Sequence, residues 1–345
     1  WKRVIDMKII TVIGSGTWGG ALAMHLAKKG HIVYLCSTNE NKAEIIRMHR
    51  EIPNLPGVKL DNNIIVTSDM EMAAKKAEVI VLAVASIYTR SVAKKLAPFV
   101  DEGKIILEVG KGFEQETLLT LEDVIKEEIP QSKVAILSGP NHAEEVSKGI
   151  PTSCVIGTKK KADAEYLQSI FSSDMFKVYV NPDILGIAIG GAVKNVIALA
   201  AGIADGLGYG DNTKATLITR GIAEISRLGA AMGANVMTFA GLSGIGDLIA
   251  TCASMHSRNR RAGILIGQGK STHEAMDEVG MVVEGVYAAK STSAVAKKFG
   301  VEMPIVNEVN AILFEKKTAK QAMSDLMLRD NIIEISNIPW PEEDM

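Results

Sequence analysis

A small set of charged and amide side chains interrupts an otherwise apolar, Ala- and Gly-rich stretch in the second half of the chain. Lys194 and Asn195 are adjacent, Asp247 follows a Gly-Ile-Gly segment, and Arg258 and Asn259 belong to a Ser-Arg-Asn-Arg segment. A charge among apolar neighbours is costly to bury unless it is paired or acts on a ligand. These side chains are therefore candidates for binding a substrate and transferring a proton.

Each of these groups also has a structural explanation. Lys194 alone could extend its ammonium to solvent along its aliphatic stem, and Asp247 could simply stabilise a helix start. Thr251 lies one helical turn after Asp247 and on the same face, which favours a joint role. The segment 257–259 offers a hydroxyl, a guanidinium and an amide, which suits a phosphate. Because arginines 260 and 261 follow directly, a solvated basic turn is the alternative.

A glycine-rich loop near the N-terminus has the features of a dinucleotide-binding turn. It comprises Gly14, Ser15, Gly16, Thr17, Trp18 and Gly19. An apolar run precedes it and an amphipathic stretch follows it, so the loop joins a predicted strand to a predicted helix. The glycines allow a tight turn and close approach of the backbone to a pyrophosphate at the helix N-terminus. The loop therefore predicts NAD or NADP binding; a glycine-rich turn in another kind of α/β protein is the alternative.

The end of the second predicted strand usually distinguishes NAD from NADP. An acidic residue there binds the ribose 2′-hydroxyl, whereas an arginine accommodates the 2′-phosphate. This chain has Ser37 and Thr38 instead, and Arg47 and Arg50 lie too far along the chain to be assigned. The sequence thus leaves the choice of nucleotide open.

Two further loops are expected to face the same crevice, because ligands bind at the carboxyl ends of strands in such sheets. Lys111 lies between two glycines directly after an apolar run, and Gly139 belongs to a Ser-Gly-Pro-Asn segment after the next run. A lysine between glycines is exposed by default. Lys111 is a candidate substrate-binding residue mainly because the strand before it should place it at the crevice, and less because it is a lysine.

Hydrophobic periodicity predicts an α/β N-terminal domain with a mostly parallel sheet and crossover helices, followed by an all-α C-terminal domain. The predicted strands cover residues 8–13, 32–35, 64–66, 79–84, 105–109, 134–137, 154–157 and 177–180. The predicted helices include 18–29 and 115–128 and, in the second half, 184–204, 212–232, 246–254, 259–266, 272–279, 285–299, 303–314 and 320–326. We expect domains at 7–182 and 183–338, an extension at 1–6 and a mobile tail at 339–345.

Composition limits the classes of function. The 345-residue chain is 47% hydrophobic and 23% charged, with a formal net charge of −2. No global charge therefore favours nucleic acid or an anionic membrane surface as a partner. The six histidines form no metal-ligand spacing, so we expect no metal.

Three cysteines and the absence of obvious targeting segments indicate the compartment. Cys36, Cys154 and Cys252 are widely spaced and odd in number, which favours a reducing compartment over a disulfide framework. No uninterrupted apolar run approaches the roughly 18 residues of a membrane span, and the N-terminus lacks the pattern of a secretory signal. We expect a cytoplasmic protein without stable membrane insertion.

Taken together, these segments resemble the NAD(P)-dependent glycerol-3-phosphate dehydrogenase family of the bacterial type, from about residue 8 to residue 314. The most specific stretches are 111–114, 138–140, 191–195, 205–212, 241–247 and 257–260. The resemblance implies a Rossmann-like domain, a helical domain, and interconversion of dihydroxyacetone phosphate and sn-glycerol 3-phosphate. It implies a small phosphorylated three-carbon substrate. A homodimer is the assembly to test, since the sequence does not determine the oligomeric state.

The resemblance also implies roles for individual residues. Lys194 matches the family's catalytic proton donor and acceptor. The matched substrate positions are Lys111, Gly139, Asn195, Asp247, Ser257, Arg258 and Asn259, to which we add Thr251. The matched cofactor positions are Ser15, Trp18, Lys111, Ala143, Arg258, Val282 and Glu284, together with the glycine loop. The chain departs from the family at Thr38, where relatives often have arginine, at Ala85, usually proline, and at residues 141–142, where Asn-His replaces a commoner Ser-Phe pair.

Two rival functions follow from the same architecture. The first is a two-domain dehydrogenase for a hydroxy acid, a ketopantoate-like acid or a nucleotide sugar, because fold alone does not determine function. Such an enzyme binds a substrate carboxylate and would not need the phosphate-binding groups of the segment 257–259. The second is a regulatory protein that binds NAD(P) without turnover. That protein would have no use for the charged cluster of the helical half, which is intact here.

Overall fold

The computed structural model describes residues 6–55, 57–330 and 333–334. The predicted tail at 339–345, and all of the predicted extension except Asp6, lie outside the described residues. Along the chain, a sheet flanked by helices is followed by helices alone. The predicted order of an α/β part with a mostly parallel sheet and an all-α part is confirmed.

Eight strands form a single sheet. They are β1 Ile9–Ile13, β2 Ile32–Cys36, β3 Ile64–Thr67, β4 Val79–Leu82, β5 Ile105–Glu108, β6 Lys133–Ser138, β7 Thr152–Gly157 and β8 Phe176–Asn181. Their order is β3-β2-β1-β4-β5-β6-β7-β8, and every neighbouring pair is parallel except β6 with β7. Each predicted strand is present, with bounds shifted by at most two residues. The strand order reverses between β1 and β4, which is where such sheets open a ligand crevice.

Helices cover both faces of the sheet. They are α1 Thr17–Lys28, α2 Glu40–His49, α3 Met70–Lys76, α4 Thr89–Leu96, α5 Leu121–Glu128, α6 Ala143–Lys148 and α7 Lys161–Phe171. Buried residues of α1, α2, α6 and α7 share one hydrophobic core with the strands, and those of α3, α4 and α5 share another on the opposite face. Burial on both faces explains why the strands read as continuous Val/Ile/Leu runs.

The helix predicted over residues 115–128 is wrong in its first turn and a half. The helix begins only at Leu121, because Leu118 adopts a left-handed conformation with φ 62°. The Glu114 carbonyl accepts a hydrogen bond from the Leu118 N–H at 3.0 Å, while the Glu114 N–H donates to the Leu119 carbonyl at 2.9 Å. A tight loop therefore precedes the helix, although its apolar residues continue the helical spacing.

The helical part comprises α8 Ile184–Gly206, α9 Asp211–Met232, α10 Asp247–Ala253, α11 Arg258–Gly267, α12 Thr272–Val279, α13 Glu284–Lys298, α14 Pro304–Phe314 and α15 Ala319–Met327. All eight helices predicted here are present. The central helix is α8, which contacts α9, α10, α11 and α13. By length and composition α8 could cross a membrane, but 94% of its most apolar window is buried inside the protein, as in a core helix.

The backbones of α8 and α11 approach each other through glycines. A Cβ at Gly202 would lie 2.1 Å from the carbonyl oxygen of Arg260, and a Cβ at Gly263 would lie 2.2 Å from that of Leu199. Contacts this short are possible only without side chains. They bring α8, which carries the candidate lysine and asparagine, against α11, whose first turn carries the candidate arginine.

We expect Gly263→Ala to lower the free energy of unfolding by about 1–3 kcal/mol, the usual cost of overpacking. The added methyl group must push α11 away from the backbone of α8. Urea denaturation followed by circular dichroism measures the change. Gly210→Ala is the matched control, since a Cβ there meets no atom within 4 Å and its φ is −87°. Equal stability of the two variants would contradict a close helix contact.

Candidate active site

A cleft of about 300 Å³ lies between the carboxyl ends of the strands and the helical part. Its lining includes the predicted residues Gly16, Thr17, Trp18, Lys111, Ala143, Lys194, Asn195, Asp247, Thr251, Ser257, Arg258, Asn259, Val282 and Glu284. Gly14, Ser15, Gly19 and Gly139 are not part of the lining. The fold thus brings both predicted groups, from the sheet and from the helices, to one cleft. Their individual roles stay predictions.

The glycine loop shapes one end of the cleft. A Cβ at Gly14 would lie 2.2 Å from the carbonyl oxygen of Ala83, and a Cβ at Gly19 would lie 1.9 Å from that of Gly14, so both are required by packing. Gly16 instead faces open space. The hydroxyl of Thr17, the first residue of α1, is buried without a hydrogen-bond partner among the described residues. Open backbone and free donors at a helix N-terminus fit a nucleotide pyrophosphate.

Directly after β2, the chain has Ser37 and Thr38 where an acidic residue would favour NAD and an arginine would favour NADP. Thr38 is exposed there. Arg47 pairs with Glu40, and Arg50 donates to the Ile64 carbonyl at 3.1 Å. The two arginines nearest in sequence are therefore already engaged within the protein.

One buried carboxylate joins two lysines at the centre of the cleft. Asp247, the first residue of α10, accepts a hydrogen bond from the Lys111 Nζ at 2.6 Å and another from the Lys194 Nζ. The Lys194 Nζ also donates to the Thr251 Oγ1 at 2.7 Å. Lys194 and Asp247 are 6% and 2% exposed, respectively. Lys194 therefore does not extend to solvent, and Asp247 does more than begin a helix.

Burial and neighbouring charges determine the protonation of this group. Burial lowers the pKa of Lys194 from 10.5 to about 7; the Asp247 carboxylate opposes this shift and the Lys111 ammonium adds to it. Burial would raise the pKa of Asp247, but the two ammonium groups hold it below its usual value. A lysine that titrates near neutral pH can both donate and accept a proton during turnover.

An amide pair joins the helices beside the lysine. The Asn259 Nδ2 donates to the Asn195 Oδ1 at 2.9 Å, and the Asn259 Oδ1 accepts the Gly285 N–H at 2.8 Å. The Ser257 Oγ accepts the Arg260 N–H at 3.2 Å and so caps α11. These residues line the cleft and also hold α8, α11 and α13 together.

Arg258 brings a cation to the N-terminus of α11. Its Nη1 donates to the Val282 carbonyl at 2.9 Å, and burial lowers its pKa, which the Glu284 carboxylate opposes. A guanidinium beside the free N–H groups of a helix start suits an anion. Arg260, by contrast, forms an ion pair with Asp205 at 2.8 Å. The segment is therefore not a solvated basic turn.

Sequence reasoning missed several residues that line the cleft. Residues 83–85 directly follow β4, so the carboxyl-end rule could have found them. Asn141 belongs to the loop that was expected to face the crevice but was not itself assigned a role; its Nδ2 is buried without a partner among the described residues. The ring centroids of His142 and His256 lie 6.0 Å apart. The sequence drew attention to His142 only because an Asn-His pair replaces the commoner Ser-Phe pair there. Asn54 comes from a loop that carries no sequence signal.

Across the described ranges, no group of three or more His, Cys, Asp or Glu side chains could hold a metal ion. The side chains that line the cleft include lysines, an arginine, asparagines and carboxylates. The fold and the cleft together define the class of two-domain, dinucleotide-dependent dehydrogenases.

Comparison with known proteins identifies the family. Residues 9–164 match the model of the NAD-dependent glycerol-3-phosphate dehydrogenase N-terminus, and residues 183–324 match that of the C-terminus. The chain belongs to the NAD-dependent glycerol-3-phosphate dehydrogenase family.

Individual relatives support this placement over nearly the whole chain. A protein from Agathobacter rectalis named glycerol-3-phosphate dehydrogenase (NAD(P)+) is 55% identical, covering 97% of this chain and 100% of the relative. One of the same name from Fusobacterium nucleatum is also 55% identical, covering 95% and 99%. The crystal structure of glycerol-3-phosphate dehydrogenase from Coxiella burnetii superposes with a TM-score of 0.91 at 33% identity, covering 94% of this chain and 99% of that one.

Proposed function

We propose that the protein catalyses the reversible, NAD(P)H-dependent reduction of dihydroxyacetone phosphate to sn-glycerol 3-phosphate, and so supplies the backbone of glycerophospholipids. Membership of the family supports this function. The observation that carries it is the buried Lys194 ammonium, hydrogen-bonded to Asp247 in a cleft that also contains Arg258 and the open face of the glycine loop. One cleft thus offers a proton, an anion site and a nucleotide site.

Lys194 is the acid and base of the proposed reaction. When bound, the reduced nicotinamide supplies a hydride to the ketone carbon. Negative charge then develops on the carbonyl oxygen, and Lys194 donates a proton to that oxygen. In the reverse direction neutral Lys194 accepts the proton of the alcohol. Asp247 directs the ammonium and favours its charged form, while Lys111 adds positive charge at the reacting end.

Arg258 and Asn259 bind the substrate phosphate in this proposal. The guanidinium supplies several N–H donors, and the first turn of α11 contributes backbone N–H groups. Asn141 offers a further buried donor in the same cleft. This concentration of donors favours a phosphate over the carboxylate of a 2-keto acid.

Initial rates of NADH or NADPH oxidation at 340 nm test the proposal directly. Dihydroxyacetone phosphate is compared with a panel of 2-keto acids, with ketopantoate, and with dihydroxyacetone, which lacks the phosphate. We expect turnover of the phosphorylated ketone only. Faster turnover of a keto acid would support the rival dehydrogenase, and nucleotide binding without turnover would support a regulatory protein. Rates with the two nucleotides side by side establish the cofactor preference.

The pKa of Lys194 predicts opposite pH profiles in the two directions. Reduction needs the protonated amine, so, apart from the effect of the substrate phosphate, its kcat/KM should be level below about pH 7 and fall about tenfold per unit above it. Oxidation needs the neutral amine, so its kcat/KM should rise up to about pH 7 and then level off. The substrate phosphate, which ionises near pH 6, affects both directions alike. Profiles that bend the same way would contradict the assignment of Lys194.

We also propose that the protein acts in the cytoplasm. Cys36, Cys154 and Cys252 are all buried and unbridged, which agrees with a reducing compartment. Cell fractionation tests the location. Size-exclusion chromatography with light scattering tests whether the protein is a homodimer.

A further inference from the structure

Ser86 connects the sheet part to the helical part across the cleft. It is the first residue of a short 3₁₀ turn, Ser86–Tyr88, which follows the loop 83–85 after β4. Its backbone N–H donates to the Glu284 Oε1 at 3.2 Å, and its hydroxyl donates to the Glu284 Oε2 at 2.5 Å. Both side chains are largely buried, and the two residues are 198 positions apart in the chain. One serine therefore holds both oxygens of a carboxylate from the other part of the protein.

The same serine also contacts the loop that carries Lys111. A Cβ at Gly112 would lie 2.8 Å from the Ser86 Cβ and 3.1 Å from its Oγ. The loop therefore packs directly on Ser86. Three segments that line the cleft meet at this residue: the loop 83–85 after β4, the loop after β5 that carries Lys111, and the start of α13.

Glu284 has unused capacity to accept hydrogen bonds in the cleft. It is the first residue of α13 and lines the cleft beside Val84 and Ala85. Burial raises its pKa, while the two Ser86 donors and the Arg258 guanidinium oppose that shift. Each carboxylate oxygen accepts one hydrogen bond from Ser86 and retains further lone-pair sites. A neutral donor group on a ligand, such as an amide N–H or a ribose hydroxyl, could bind there.

We propose that Ser86 is a positioning residue that holds the Glu284 carboxylate where it accepts a hydrogen bond from the bound nicotinamide nucleotide. This inference rests on the proposed function, because it assumes that the nucleotide occupies the cleft. Ser86 acts on the nucleotide through Glu284. Its loss should therefore weaken nucleotide binding more than it affects the substrate or the proton transfer.

The test compares Ser86→Ala, Glu284→Gln and the double variant in the full-length protein. Fluorescence titration measures the Kd for NADH and for NADPH, and steady-state kinetics measure kcat and the KM for dihydroxyacetone phosphate. We expect Ser86→Ala to raise the nucleotide Kd about tenfold, as the loss of a hydrogen bond to a charged group does. The substrate KM should be almost unchanged. The double variant should bind no more weakly than Glu284→Gln, because both changes remove the same interaction.

Ser91→Ala is the matched control, since Ser91 is an exposed serine of α4 whose hydroxyl donates only to the Tyr88 carbonyl at 3.0 Å. It should bind nucleotide as the unaltered protein does. If Ser86→Ala fails to fold, Ser86→Cys, which keeps the size but has a weak donor, carries the same expectation. Unchanged affinity in the Ser86 variants, or additive losses in the double variant, would overturn the proposal. An unaltered protein that binds neither nucleotide would instead overturn the proposed function.

Discussion

Lys194→Ala should lower kcat for dihydroxyacetone phosphate reduction by about 10²–10⁴-fold, the range typical for loss of a positioned acid or base. The substitution removes the ammonium that donates to both Asp247 and Thr251 in the cleft centre, and with it the proton that the developing alkoxide needs. The Kd for NADH should remain nearly unchanged, because the glycine loop that is proposed to bind the nucleotide is untouched. Steady-state kinetics and fluorescence titration measure the two quantities.

Lys320→Ala provides the control for this experiment. Lys320 is an exposed lysine of α15 and does not line the cleft, so its removal should leave kcat unaltered. Lys194→Arg adds a second comparison, since a guanidinium stays protonated and should fail as a base in glycerol 3-phosphate oxidation. Residual activity above about a tenth of the original in Lys194→Ala would be too high for a lost acid. The proton donor would then have to be another group, with Lys111 the next to test.

Asp247→Asn should impair both activity and stability. It leaves the buried Lys194 ammonium and the partly buried Lys111 ammonium without their shared counter-charge. Removing one partner of a buried ion pair costs about 3–5 kcal/mol. Without the carboxylate, the pKa of Lys194 should fall further, because an opposite charge favours the charged form and its loss disfavours it. We therefore expect lower reduction rates at neutral pH and a reduction profile displaced towards acid.

Asp211→Asn separates this role from that of a helix-start carboxylate. Asp211 is likewise the first residue of its helix, α9, but its side chain is fully exposed. Its loss should cost at most about 1 kcal/mol through the helix dipole and leave the pH profile in place. Urea denaturation and pH–rate profiles of both variants make the comparison. If Asp247→Asn behaved like Asp211→Asn, Asp247 would have no part in positioning Lys194.

The fold was largely predictable because the signals for strands and helices are local. Parallel strands buried on both faces give continuous apolar runs, and all eight are present where these runs occur. The helical half follows the 3.6-residue period, and its eight helices also begin and end near the predicted positions. Prediction failed at Leu118 before α5, where a left-handed backbone conformation interrupts the helix although the apolar spacing continues. A single left-handed residue leaves no trace in hydrophobic spacing.

The sequence predicted most of the residues that line the candidate site but not which of them contact one another. Lys194, Asp247 and Arg258 were identifiable because charges in an apolar context are costly unless they are used. Local patterning, however, carries no information about which charge pairs with which. Lys111 shares Asp247 with Lys194 through a contact between residues 136 positions apart in the chain. The amide pair of Asn195 and Asn259 joins residues 64 positions apart.

The amino-acid sequence alone was sufficient to predict the order of elements and to identify the glycine-rich loop and the charged residues as candidates. Packing decided the rest. The glycine contacts between α8 and α11 determine how near the lysine helix comes to the arginine helix. Burial in the assembled cleft lowers the pKa of Lys194 towards neutrality. Both effects depend on contacts between segments that are far apart in the chain. The helices α8 and α11 pack together within the helical part, and Lys111 from the sheet part reaches Asp247 beside Lys194.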